Sequence, residues 1–180
     1  MLPERLLATP VVLRRFAASD APRVELLAGD REVAENTALI PHPYPPGAAA
    51  MWIATHDTSA ATGTEYVYAI AETDGALVGA IGLRPDRNER ENLGYWIGRP
   101  YWGLGYATAA AQAVIALAFE FLELEAVTAS HLARNPASGR VMEKCGMRVL
   151  RMERRPHRGA ADEDFVVRGI ARTEWARTLA

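Results

Sequence analysis

The chain has 180 residues, 49% of them hydrophobic and 23% charged, which suits one soluble globular domain with a sizeable core. Its formal net charge of −2 gives no electrostatic case for nucleic acid, whose phosphates demand clustered Lys and Arg. The longest apolar run, Ala107 to Leu122, is broken by Gln112 and Glu120 and falls short of the roughly 18 residues that cross a bilayer, so no membrane partner is expected. The opening MLPERLLATP sets acid beside base and is not expected to act as a secretory signal. Cys145 is the only cysteine, so an intramolecular disulfide is impossible and a reducing cytoplasm is the expected setting.

There is no internal repeat, linker or low-complexity tract, and the expectation is a single domain over residues 1–180. Val11 to Phe16 (VVLRRF) reads as a first strand. Ser19 and Asp20 are placed to cap a helix running through Leu26 and Leu27, and Asp30 to Asn36 is a second helical stretch. Ile40 to Pro46 (IPHPYPP) carries four prolines in seven residues and cannot be regular helix. A short helix follows near Ala48 to His56. Tyr66 to Glu72 and Ala76 to Leu83 read as strands joined by the turn Thr73-Asp74-Gly75, and Asn92 to Ile97 is a further short strand. After a glycine-rich turn comes a long helix, then a strand at Ala126 to His131. Asn135-Pro136 opens a helix ending at Gly146, and Met147 to Met152 and Asp164 to Ile170 are closing strands. Hairpin-ordered strands followed by alternating strands and helices predict an α+β or mixed α/β sheet with helices on its faces.

The segment Leu93 to Leu122 (LGYWIGRPYWGLGYATAAAQAVIALAFEFL) is the most informative. A strand feeds the turn Trp102-Gly103-Leu104-Gly105-Tyr106-Ala107, which opens a helix with apolar residues at 107, 110, 111, 114, 118, 121 and 122. A helix start offers amides without intrahelical partners and the positive end of the dipole, and together these make an anion site. Gly103 and Gly105 carry no side chain to block approach and tolerate positive φ. A pyrophosphate could rest on the amides of Leu104, Gly105, Tyr106 and Ala107; the alternative is a tight turn that only starts a helix. A P-loop would need a following Gly-Lys-Ser/Thr, and a dinucleotide fold an acid at the end of the next strand, where His131 stands; both are disfavoured. In the later helix, Ser138, Val141, Met142 and Cys145 recur at i, i+3, i+4 and i+7, so Ser138 faces the protein. Such a hydroxyl either meets a ligand or only stabilises the first turn.

The turn resembles the pyrophosphate loop of GNAT acetyltransferases, whose motif is Gln/Arg-x-x-Gly-x-Gly/Ala. Gly105 and Ala107 match it, and Trp102 stands where Gln or Arg is usual. The runs GYWIGRPYWGLGYATAAA and SHLARNPASGRVMEKCGM, in the expected order, resemble the RimJ/RimL-type branch, the ribosomal-protein N-terminal acetyltransferases. The likeness spans Val11 to Ile170. It implies the GNAT fold: a central, mostly antiparallel twisted sheet of about seven strands, flanked by helices and splayed between the fourth and fifth, here Asn92 to Ile97 and Ala126 to His131. It implies acetyl-CoA as cosubstrate, no metal, an amine acceptor, and a monomer or homodimer. Coenzyme contacts are expected from Tyr95, Trp96 and Ile97, from Trp102, Gly103, Leu104, Gly105, Tyr106, Ala107 and Thr108, and from Asn135 and Ser138.

By the same resemblance the amine attacks the thioester directly. A backbone N–H of Trp96 or Ile97 would hold the developing oxyanion, and Ser138 would donate a hydrogen bond or proton to the departing thiolate. Related sequences often carry Glu just before the Leu-Gly-Tyr-Trp run. Here that position is Asn92, and Glu91, one residue earlier, falls on the opposite strand face. His131, His157 and Glu163 are other candidate bases, each also readable as structural. A weak base favours an α-amine, pKa near 8, over a lysine amine near 10.4. His42 and Tyr44 of the IPHPY segment, with Asn92 and His131, are the expected acceptor contacts. Cys145 reads as a small buried hydrophobe. The arginines from Arg148 to Arg158 (RVLRMERRPHR) read as a solvated basic strand end, the alternative being a role toward CoA phosphates or an acidic substrate. Readings that stay open are a protein or peptide α-amine acceptor, a small amine, and a non-catalytic acyl-CoA-binding module.

Overall fold

The computed structural model describes residues 2–85, 92–159 and 161–178. The sheet starts earlier than the sequence suggests. β1 (Arg5–Ala8) pairs antiparallel with β2 (Val11–Arg14). β1 escaped notice because its leucines are adjacent instead of alternating, and Leu7 is left exposed. β2 ends at Arg14, short of Phe16, where the guanidinium turns to grip Asp20 bidentately at 2.8 and 2.9 Å. Asp20 therefore does not cap the next helix; it also accepts from Ala17 N and closes a single 3₁₀ turn before α1 (Ala21–Ala28). Asp30 does cap α2 (Arg31–Glu35), accepting from Glu32 N at 2.8 Å.

α3 spans Ala48–Thr62, well past His56, because its alanine-rich sequence offers no break before Gly63, which adopts φ +69°. β3 (Tyr66–Ala71), β4 (Leu77–Leu83) and β5 (Leu93–Ile97) continue the antiparallel order. α4 (Tyr106–Glu120) lays Ala110, Ala111, Val114, Ile115, Ala118 and Phe119 against Leu13, Ile70, Ile81 and Leu83. Phe121, expected on that face, lies beyond the helix end and is exposed.

The second half forms β6 (Ala126–Leu132), α5 (Pro136–Lys144), β7 (Arg148–Pro156) and β8 (Asp162–Ala171). α6 (Arg172–Thr178), which the sequence reading omitted, packs Trp175 on Phe119. Among the described residues there are thus eight strands instead of about seven. They form a five-stranded sheet, β1-β2-β3-β4-β5, and a three-stranded sheet, β6-β8-β7. The division falls between β5 and β6, the two strands named for the splay; β1 makes them fifth and sixth. Among the described residues no helix is long and apolar enough to cross a membrane.

β5 lies unusually close to β4 at Gly79. A Cβ there would sit 2.2 Å from Trp96 O and 2.9 Å from Ile97 Cδ1, whereas a Cβ at Gly94 meets nothing within 4 Å. Gly79→Ala should cost about 2 kcal/mol in urea unfolding by forcing β5 outward. Gly94→Ala should cost much less, and equal losses would show that the close approach has no energetic consequence.

Candidate active site

The gap between the sheets is closed at one end by Asn92. Its N–H donates to Thr128 O at 3.0 Å, its Oδ1 accepts from Thr128 N at 2.9 Å, and its Nδ2 donates to Ala126 O at 3.3 Å. Beyond it the two strands part. The bonds Gly98 N to Val78 O and Arg84 N to Asn92 O, with the β4–β5 register, fix which pairs exchange bonds. Ala80 with Trp96 and Gly82 with Gly94 are the bonded pairs. The main chain of Trp96 therefore points back into the sheet, and its N–H is not available as an oxyanion donor. The N–H groups of Tyr95 and Ile97 face the gap. Alternation along the strand decides this, and sequence reading left Trp96 and Ile97 unresolved because it lacked the register.

Trp102 spends its indole N–H on Ile97 O, at 2.7 Å. The bond ties the glycine turn to the end of β5. Gly103 and Gly105 adopt φ +79° and +81°, and a Cβ on either would project into open space. The first helical bond accepted at the cap runs from Ala109 N to Gly105 O. Gly105 has no side chain to cap with, so the amides of Tyr106, Ala107 and Thr108 keep no intrahelical acceptor. These residues open onto a groove of about 320 Å³ that also touches Tyr95, Ile97, Asn135, Ser138, Arg140 and Lys144. Arg140 and Lys144 were missed by sequence reading. Their i, i+4 spacing on α5 was the signal, since it sets both cations on one face. Leu104 does not line the groove with its side chain, which is exposed.

A second cavity, of about 600 Å³, also borders β5 and shares Asn36, Thr37, Tyr95, Trp96 and Ser138 with the groove. At this junction Tyr95 OH lies 2.8 Å from Ser138 Oγ and also donates to Ser138 O at 3.2 Å. Burial raises the Tyr95 pKa above the ordinary phenol value, so the ring keeps its proton at neutral pH. Asn135 caps α5, accepting from Ser138 N at 3.3 Å, and so fixes where the serine sits.

Tyr44, Asn92 and His131 line the second cavity; His42 does not. His42 is exposed and donates from Nδ1 to Gly29 O at 3.2 Å. Both polar atoms of the Asn92 carboxamide are held by β6, so its first task is architectural. His131 donates from Nδ1 to Leu132 O at 2.9 Å. Its Nε2 is buried without a partner beneath Gly139, where a Cβ would come within 2.8 Å. His157 lines the cavity but donates from Nε2 to Glu35 O at 3.0 Å. Glu163 is bound by Arg134 at 2.6 Å, and the guanidinium holds its carboxyl below the usual carboxylate range. Glu91 lies outside the described residues. Burial pushes the Cys145 thiol up to about 12, which removes it as a nucleophile.

Comparison with known proteins agrees with this geometry. The family profile described as Acetyltransferase (GNAT) domain matches residues 11–148. The Bacillus subtilis protein YdaF, provisionally named a ribosomal N-acetyltransferase, is 39% identical over 75 residues, and the matched stretch is 41% of this chain and 41% of YdaF. A GNAT-family acetyltransferase of Bacillus anthracis superposes with a TM-score of 0.81 at 23% identity, covering 94% of this chain and 99% of that one. A spermidine N-acetyltransferase of Vibrio cholerae, in complex with CoA and spermine, superposes with a TM-score of 0.77 at 15% identity, covering 93% and 99%. At these identities the two structural likenesses establish the fold.

The glycine turn provides a direct check on the groove. Gly105→Val forces a branched side chain into a left-handed conformation and into the space before the α4 amides. It should weaken CoA binding at least tenfold by calorimetry. Wild-type affinity in a folded variant would remove the turn from the coenzyme site.

Proposed function

The chain belongs to the GNAT acetyltransferase family, and from that membership we propose that it moves the acetyl group of acetyl-CoA onto the α-amine of a protein or peptide N-terminus by direct attack. The observation that carries this reading is the junction of the two cavities at Tyr95 and Ser138, beside strand-edge N–H groups. The groove fits a coenzyme because α4 presents bare amides to a diphosphate while Arg140 and Lys144 add positive charge.

In the proposed reaction the neutral amine nitrogen bonds to the thioester carbonyl carbon. The N–H of Ile97 or Tyr95 supports the oxyanion, the C–S bond breaks, and the amine proton passes to solvent or a neighbouring base. Ser138 donates to the departing sulfur, and Tyr95, held protonated by burial, is placed to resupply it. Holding both reactants at one junction supplies orientation.

Charge supports a peptide acceptor over a polyamine. Among the described residues, Glu65 is the single carboxylate lining the acceptor cavity, and it is paired with Arg84 at 3.1 Å. Arg155 lines it too, paired with Glu153 at 3.4 Å. Among the described residues the lining thus offers a dication or trication no carboxylate that is not already paired. The partial likeness to YdaF points the same way. A small monoamine is the second reading, favoured by a cavity of about 600 Å³, which suffices to enclose a small molecule.

Thiol release from acetyl-CoA, measured with Ala- and Ser-starting hexapeptides, spermidine and single amino acids, separates the readings. Turnover of the peptides is expected. Turnover of small amines alone would replace the peptide reading, and tight CoA binding without any turnover would indicate a binding module. With the best acceptor, Ser138→Ala should lower kcat about 10- to 100-fold, with CoA affinity within about twofold. An unchanged kcat would deny the hydroxyl its role as donor.

A further inference from the structure

The arginine-rich stretch ending at Arg158 is more than a solvated strand end. The short helix α2 is followed by residues 36–41, which form no regular structure. The last carbonyls of α2 and those of residues 36–41 lack i+4 helical partners; Ala34 O takes Thr37 N at 3.1 Å and Thr37 Oγ1 at 3.0 Å, and further donors are needed from elsewhere. The donors come from the opposite end of the chain. Arg158 Nη1 donates to Ala34 O at 2.8 Å, to Thr37 O at 3.4 Å and to Ile40 O. His157, buried edge-on to Phe165, donates to Glu35 O at 3.0 Å. Arg134, itself gripped by Glu163, donates to Glu35 O at 3.0 Å and to Asn36 Oδ1 at 3.4 Å.

Arg158 also holds φ at +56°, a left-handed conformation that a non-glycine residue adopts only when its surroundings impose it. What it holds is functional surface. Residues 36–41 line the acceptor cavity, and Asn36 and Thr37 also reach the coenzyme groove. The wall is thus built from the N-terminal half and fixed by the β7–β8 hairpin.

We propose that Arg158, seconded by Arg134 and His157, is a positioning residue that clamps residues 36–41 as the wall of the acceptor cavity and so sets how tightly the acceptor is held. The guanidinium matters for its reach. All three bonds leave one nitrogen, Nη1, which stands one covalent bond farther from the main chain than a lysine ammonium.

The proposal rests on the acetyl-transfer reading, so two readouts are needed. Hydrogen exchange of the free protein should show residues 34–41 exchanging about tenfold faster in Arg158→Ala, with the α4 amides unchanged. With the best hexapeptide, the acceptor KM should rise about tenfold while the CoA Kd stays within about twofold. Arg158→Gly, which relieves the left-handed backbone, should show the same loss in a variant that folds. Arg158→Lys should fail to restore it. Wild-type exchange at 34–41, a wild-type acceptor KM, or full rescue by lysine would each overturn the clamp. If the wild-type protein acetylates no peptide, the acetyl-transfer reading fails on that arm, while the exchange measurement still decides whether the clamp exists.

Discussion

The molecule opens where it does because of one carboxamide. Asn92 gives β6 both a donor and an acceptor, and its own N–H adds a third bond across the gap. A carboxylate at this position would accept but not donate. It would leave Ala126 O without its partner and place a charge at the seam. The amide thus joins the sheets at one point and lets them diverge from there. Past the seam, Tyr95 and Ile97 present N–H groups that no strand among the described residues receives, and a buried donor without an acceptor is costly. A ligand that supplies acceptors along this edge relieves that cost, so the site's affinity and its place in the fold have the same origin.

A carboxamide at position 92 also bears on the chemistry. The position offers no base, and among the described acids Glu163 is bound to Arg134 and Glu65 to Arg84. Imidazoles at 131 and 157 each give one nitrogen to a main-chain carbonyl. An acceptor whose amine is already partly neutral near pH 7 suits such a site better than one needing strong deprotonation. In the proposed reaction Tyr95 and Ser138 sit on the leaving-group side as proton donors. Catalytic effort would then fall on orientation, oxyanion support and protonation of sulfur.

What could be read from the sequence was local. Gly103 and Gly105 announced the turn because both take positive φ there. Asn135-Pro136 announced a helix start, and the Ser138, Val141, Met142, Cys145 spacing announced its inner face. These signals depend on neighbours within a turn or two. The seam at Asn92 spans 34 and 36 residues, and the contacts of Arg158 span 118 to 124, so no window along the chain contains them. Trp96 and Ile97 could not be separated for a related reason. Which amide faces the gap depends on how β5 registers against β4. Asp20 and His42 misled in another way: each had a plausible local role, and a tertiary partner, Arg14 or Gly29 O, claimed the side chain instead.

The same contrast separates the two ligand sites. The groove proposed for the coenzyme is made chiefly of main-chain amides at a helix start and a strand edge, features that many sequences produce if two glycine positions and a cap are kept. The proposed acceptor cavity is walled by residues 36–41, which Arg158 holds at Thr37 O and Ile40 O and Arg134 holds at Asn36 Oδ1, while Arg134, His157 and Arg158 also grip Ala34 O and Glu35 O at the end of α2. A side-chain clamp changes with single substitutions, and a shift of one or two ångströms in residues 36–41 remakes the cavity without touching the groove. On the proposed reading the donor is held by main-chain geometry, and the acceptor is specified by side chains at 134, 157 and 158, where a single substitution acts.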